Sequence, residues 1–252
     1  MEPEKNDEHV TQTNKPTVSI AAAIITGAAM IALALILVVH PSSGGSITTG
    51  TSGTSAQQQP STPTSIPTGI ATLRASDMAH IRGNANAQIL IFEYSDSDCP
   101  FCQQFHPTLQ QVVNDYKGKV AWVYRFFPLS IHPDAHNEAV ALQCVGQLGG
   151  ATAFNPYLDT LIGVTLTPNS QTMSTLGTFA EKEGVNATAF QNCVNDPAVG
   201  ALVDTSIKEA ESIGAQGTPF SVIVDTKTGK QIIVPGAYPL AEVEKDIDSL
   251  LK

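Results

Sequence analysis

The feature that most constrains this chain is the stretch FEYSDSDCPFC at positions 92–102. Ile89, Leu90, Ile91 and Phe92 make an apolar, β-prone approach to it. The polar turn Ser95-Asp96-Ser97-Asp98 then delivers Cys99 and Cys102 with two residues between them, and an apolar-periodic stretch follows. A thiol pair at this spacing can close into a small disulfide ring or supply half of a metal site. A zinc site of four thiolates usually brings a second close pair, whereas the remaining cysteines, Cys144 and Cys193, stand far apart. Redox chemistry is the favoured reading, and a zinc half-site is its rival.

Four cysteines in 252 residues are too few for a disulfide-rich scaffold. The formal net charge of −10 argues against general nucleic-acid binding, which requires a basic surface. No repeat of fixed period is visible, so a solenoid or propeller is not expected. No metal or other cofactor is expected beside the thiols.

The amino-terminal third reads as separate from the fold. Residues 1–17 are polar, with Lys5 and Lys15 among the acids, and are expected to form a disordered cytoplasmic tail. Residues 18–39, VSIAAAIITGAAMIALALILVV, carry no charge. At 1.5 Å per residue such a run reaches about 33 Å as a helix, enough for a bilayer core of about 30 Å. A cleaved signal peptide competes with an uncleaved signal-anchor. The run is longer than a signal peptide's apolar region, and Val38-Val39-His40-Pro41 offers no small-x-small cleavage site, so the transmembrane anchor is favoured. Lys5 and Lys15 precede the run and the next basic residue is Arg74, which predicts a cytoplasmic amino terminus and an extracytoplasmic remainder. Residues 40–76 are rich in Ser, Thr, Gly and Pro and read as a flexible tether.

From residue 77 to 252 the composition is that of a globular domain. Strands are predicted at 87–94, 119–127, 220–225 and 231–234, the last two as a hairpin turning at Lys227-Thr228-Gly229. A helix is predicted over 99–116, with Phe101, Phe105, Leu109 and Val113 on one face, and another over 240–251 with Leu240, Val243, Ile247 and Leu250 inward. Between them, from about 132 to 213, lie helices at 134–148, 152–163, 170–184, 187–194 and 197–213. Strand–helix–strand implies a parallel pair, and the hairpin makes the sheet mixed, with helices on both faces.

A strand entering Cys-x-x-Cys at a helix start, with Gly217-Thr218-Pro219 before a later hairpin, resembles the thioredoxin fold, an α/β architecture with a mixed central sheet. The helical insertion, Cys99-Pro100-Phe101-Cys102, and Phe127-Pro128-Leu129 followed by His132-Pro133 resemble its DsbA-like, membrane-anchored bacterial branch. The resemblance implies a redox pair with Cys99 as nucleophile and Cys102 as resolving thiol. A helix amino terminus at Cys99 would favour its thiolate. It implies that Glu93 is a buried carboxylate moving the proton of Cys102; an outward-facing Glu93 is the alternative. It implies a cis bond at Pro219 that sets the Thr218 backbone beside the disulfide to bind substrate main chain; an ordinary trans loop proline is the alternative. It also implies a structural disulfide between Cys144 and Cys193, closing a loop worth roughly 3–4 kcal/mol by chain entropy, against two free buried thiols. His106, His132 and His136 read as structural more readily than catalytic.

The function implied is a membrane-anchored thiol–disulfide oxidoreductase that donates the Cys99–Cys102 disulfide to exported unfolded proteins. A quinone-linked membrane partner of the DsbB or vitamin K epoxide reductase type would reoxidise it. A reductase or isomerase kept reduced by a membrane electron donor is the alternative within enzymes, and a non-catalytic binding module the alternative outside them.

Overall fold

The computed structural model describes residues 72–164 and 172–252. The tail at 1–17, the apolar run at 18–39 and most of the tether lie outside the described residues. Among the described residues no helix is long and apolar enough to cross a membrane.

Five strands form one mixed sheet: β1 (Ile81–Gly83), β2 (Ile89–Ser95), β3 (Val120–Phe126), β4 (Phe220–Asp225) and β5 (Gln231–Val234), in the order β1-β3-β2-β4-β5. β2 and β3 are parallel and joined through helix α1 (Pro100–Asp115), whereas β1, β4 and β5 pair antiparallel with their neighbours. All residues of β2 and β3 are buried, as expected of central strands covered on both faces. Their alternation splits the core. Ile89, Ile91, Trp122, Tyr124 and Phe126 pack with α1, with α6 (Leu240–Leu250) and with the helical insertion. Leu90, Phe92, Tyr94 and Val123 point the other way and meet Ala210 and Ile213.

The insertion comprises α2 (Ala135–Val164), α3 (Met173–Lys182), α4 (Ala187–Val194) and α5 (Pro197–Ser212). α2 is broken at Gly150, whose φ of 64° lies in the left-handed region that glycine enters without a Cβ penalty. The later helices start where sequence chemistry stops the chain from fraying. Thr172, Asn186 and Asp196 each accept a backbone N–H of the first turn with the side chain, and Pro197 opens α5. A bond between Cys144 and Cys193 staples α2 to α4, with an S–S distance of 2.07 Å and a separation of 49 residues.

Three sequence expectations change. The domain does not begin at residue 77. A 3-10 turn at Ala75–Ala79 and the segment from Thr72 dock on the sheet, because Arg125 on β3 takes Asp77 and the Thr72 carbonyl as partners. That attraction acts across about fifty residues and has no local signature. β1 was also absent from the predicted strands, being only three residues long. Finally, Phe101 is not on the buried face of α1 but 63% exposed. A series spaced by four drifts about 40° per step around a helix of 3.6 residues per turn. Cys102, Phe105, His106, Leu109, Val112 and Val113 carry the buried face instead.

Candidate active site

The two thiols arrive at the end of the parallel pair because β2 stops at Ser95 and the chain turns sharply into α1. Asp96 makes the turn: its Oδ1 accepts the Asp98 N–H at 2.9 Å, and its Oδ2 accepts the Leu129 N–H at 2.8 Å and pairs with His132 Nδ1 at 2.7 Å. Ser97 donates to Glu138 of α2 at 2.6 Å. The loop carrying Cys99 is thus fastened to the chain on both sides of the insertion's start. Sequence reasoning passed over this polar turn, assigning no role to its Asp and Ser residues.

Cys99 is the N-cap of α1, and Pro100 occupies the first helical position, where a missing N–H costs nothing. Both thiols are unbridged and buried, Cys102 completely so. Their environments drive them apart. The Cys99 thiol is pulled down to about 5, chiefly by hydrogen bonding from Cys102, with Thr218 and the backbone N–H groups of Cys102 and Phe101 adding to it against desolvation. Burial and the neighbouring Cys99 push Cys102 well above the ordinary thiol range, and the charge of Glu93 pushes the same way. An acidic, nucleophilic thiol beside a basic, buried one is the division of labour that thiol exchange needs.

The peptide between Thr218 and Pro219 is cis, and the Thr218 carbonyl oxygen lies 3.5 Å from Cys99 Sγ. A segment 119 residues away in sequence is thereby brought to the nucleophile. Glu93 sits on β2 opposite Tyr124 and Ser221, on the face shared with α1. It is buried and accepts from Ser95 Oγ at 2.9 Å through Oε1. Oε2 has no hydrogen-bond partner among the described residues. Burial raises its carboxyl to about 8, against the opposing hydrogen bond from Ser95. The structure therefore brings Glu93, Cys99, Cys102, Thr218 and Pro219 together.

Cys144 and Cys193 lie in the insertion and are joined to each other. The histidines divide. His132 is held by Asp96 in the active-site turn, and the hydrogen bond and charge of Asp96 raise its imidazole above the usual value despite desolvation. His106 pairs with Asp159 at 2.7 Å and packs its ring edge-on to Trp122. His136 is exposed, 3.5 Å from Asp204. Among the described residues no group of three or more His, Cys, Asp or Glu side chains is arranged to hold a metal.

The thioredoxin family model matches residues 75–234. Among solved structures, DsbA2 of Pseudomonas aeruginosa superposes with a TM-score of 0.60 at 26% identity, over 68% of this chain and 93% of that one. BdbD of Bacillus subtilis gives a TM-score of 0.59 over 68% and 92%, its 17% identity speaking for the fold alone. Among curated relatives, a Na(+)/H(+) antiporter, NhaA 3 of Salinispora tropica, is 27% identical over 144 residues, 57% of this chain. The chain spans only about a fifth of that antiporter's length (21%), so the likeness is to one part of it. With a family match across well over half its length and a thiol pair set at the head of α1, the chain belongs to the thioredoxin family, with a fold like that of DsbA2.

Proposed function

We propose that the protein is a membrane-anchored, extracytoplasmic oxidase that passes the Cys99–Cys102 disulfide to thiols of exported, unfolded proteins. The observation that carries this reading is the placement of Cys99 at the N-cap of α1 beside the cis Thr218–Pro219 peptide, with Cys102 one turn on, a setting that pulls its thiol down to about 5. A thiolate stable at neutral pH stabilises the reduced pair, which makes the disulfide a strong electron acceptor. A substrate thiolate attacks Cys99 Sγ, the S–S bond breaks, and its electron pair leaves on Cys102, which takes up a proton. The substrate's second thiolate then attacks the mixed disulfide and releases Cys99 as thiolate. Glu93 serves as the proton partner of Cys102, and the Thr218 backbone aligns extended substrate beside Cys99.

The uncharged run at 18–39, the preceding Lys5 and Lys15, and the Ser-, Thr-, Gly- and Pro-rich segment up to Thr72 support the location. A disulfide between Cys144 and Cys193 accords with an oxidising compartment. The electrons leave to a quinone-linked membrane protein of the DsbB or vitamin K epoxide reductase type.

Equilibration with glutathione tests the direction of electron flow. A potential nearer to about −120 mV than to about −270 mV is expected, and the lower value would make the protein a reductase. The rate of alkylation of Cys99 against pH should rise with a midpoint near 5. A Cys99→Ser variant should lose exchange with a dithiol peptide; retention of activity would remove the enzymatic reading. In intact cells, after reduction, a membrane-impermeant thiol reagent should label Cys99, and labelling only in lysed cells would reverse the topology.

A further inference from the structure

Besides Glu93, a second buried carboxyl touches the turn that carries the thiols. Glu138, in the first turn of α2, is fully buried, and its Oε2 accepts the Ser97 hydroxyl at 2.6 Å. Ser97 is buried too and stands two residues before Cys99. Glu138 Oε1 has no hydrogen-bond partner among the described residues. Burying a carboxyl with so little support is unfavourable. Desolvation raises its proton affinity to about 7 against the opposing bond from Ser97, and the charges of Asp98, Asp96 and Asp134 push the same way. Below neutrality the group is therefore protonated, and a protonated carboxyl still offers its carbonyl oxygen to the serine. Ser97 is gripped from α1 as well, where the Gln103 side chain donates to its carbonyl oxygen at 3.2 Å. Beside it, the Asp96 carbonyl accepts the Cys99 N–H at 3.1 Å.

We propose that Glu138 is a positioning residue for exchange at Cys99, holding the thiol-bearing turn to the helical insertion through the Ser97 hydroxyl. Asp96 fixes the start of the turn, on Leu129 and His132. The Ser97 bond lies nearer to Cys99 and reaches α2 itself. That helix is a firm support: Ala139, Val140, Leu142 and Cys144 sit in the core, and the Cys144–Cys193 bond staples it to α4. Cys99 depends on where the turn ends. As the N-cap of α1, with its sulfur 3.5 Å from the Thr218 carbonyl oxygen, it is favoured as thiolate only while it stays at the helix start. Cutting the Ser97–Glu138 bond frees the turn on the side of the insertion, and the thiolate loses part of that support. The inference rests on the reading of Cys99 as the exchanging thiol under Proposed function.

The test measures the rate at which iodoacetamide alkylates Cys99 in the reduced full chain, as a function of pH, with urea unfolding alongside. Ser97→Ala and Glu138→Met should each raise the midpoint by about one pH unit or more, an about tenfold loss of thiolate below it. Glu138→Gln should leave it within about 0.3 units, because an amide carbonyl accepts the same hydrogen bond. The double variant of Ser97→Ala and Glu138→Met should shift no further than the larger single change, since both cut one bond. Methionine fills the site with an adaptable apolar side chain of similar length, so Glu138→Met serves if Ser97→Ala fails to fold. A wild-type midpoint in either folded variant, even with stability lost in urea, would mark a bond that supports the fold without positioning the thiol, and would overturn the proposal. Equal shifts in Glu138→Gln and Glu138→Met, or shifts that add in the double variant, would overturn it as well. A wild-type Cys99 that titrates near the ordinary value of about 8.5 would overturn the reading of Cys99 and the role of Glu138 together.

Discussion

The two faces of the β2–β3 pair each bury a carboxylate, and the two are treated in opposite ways. On one face Asp77 meets Arg125, whose Nη2 donates to Asp77 Oδ2 at 2.9 Å while Nη1 donates to the Tyr94 hydroxyl at 2.9 Å. The guanidinium also lies 4.4 Å above the Phe92 ring centre. Despite desolvation, the hydrogen bond and charge of Arg125 hold the Asp77 carboxyl below its ordinary value. On the other face Glu93 is buried beside Ser95, which donates to it, and Trp122, with no cation, and burial raises its carboxyl to about 8. One charge is neutralised and stitches the domain's first residues to the sheet. The other is left able to take and release a proton beside a thiol. Burial alone does not decide whether an acid stabilises or reacts; the partner it is buried with does.

The largest effect is expected where the paired charge is broken. Arg125→Ala strands Asp77 in the core and should cost about 3–5 kcal/mol in urea unfolding, with the alkylation midpoint of Cys99 unchanged. A loss below 1 kcal/mol would mean that the pair contributes little against its desolvation. The unpaired acid should reveal itself through pH. The folded state keeps the Glu93 proton up to about pH 8, whereas the unfolded chain gives it up near 4.5. Between those values the folded state binds more protons, so this contribution is fully present below about pH 4.5 and is lost as pH rises through 8. Glu93→Gln should therefore match the wild type near pH 4 and exceed its stability at pH 9 by on the order of 5 kcal/mol. Parallel curves for the two proteins would show that Glu93 is not desolvated. Asp77 has the opposite sign: its contribution is present above its unfolded value and is lost as pH falls through the lowered one. The smallest change is expected at Arg74, a partly exposed residue bonded to Asp77 and Glu209. Arg74→Ala should cost under about 1 kcal/mol, less still in high salt, and a larger loss would make the outer pair part of the buried one.

Much of the active site was legible because its signals are local. Cys99 and Cys102 define their own spacing, Pro100 and the apolar repeat mark the helix, and Glu93 inside an apolar strand is conspicuous. Ser95 was legible in principle, since a period of two places it on the face of Glu93, but a serine in a turn-like run gives no reason to look for a partner. The grip of Asp96 on His132 and of Ser97 on Glu138 joins segments 36 and 41 residues apart, and no pattern within either segment foretells it. The exposure of Phe101 was missed because regular spacing along the sequence does not correct for the rotation of the helix.

Taken alone, the sequence determined the order of strands and helices from β2 onward, the thiol pair and its position at a helix start, because periodicity, capping and turn chemistry act within a few residues. It also set out the uncharged run at 18–39 and the Ser-, Thr-, Gly- and Pro-rich segment after it. Tertiary structure decided what each buried polar group does. The lift of Cys102 and Glu93 arises chiefly from the water that packing excludes and the neutralisation of Asp77 from Arg125, distant in the chain, whereas the depression of Cys99 comes mainly from Cys102 one turn on, with Thr218 adding to it from afar. Proton affinity depends on the distance to charges and on the surrounding dielectric, and both come into being only when the chain has folded.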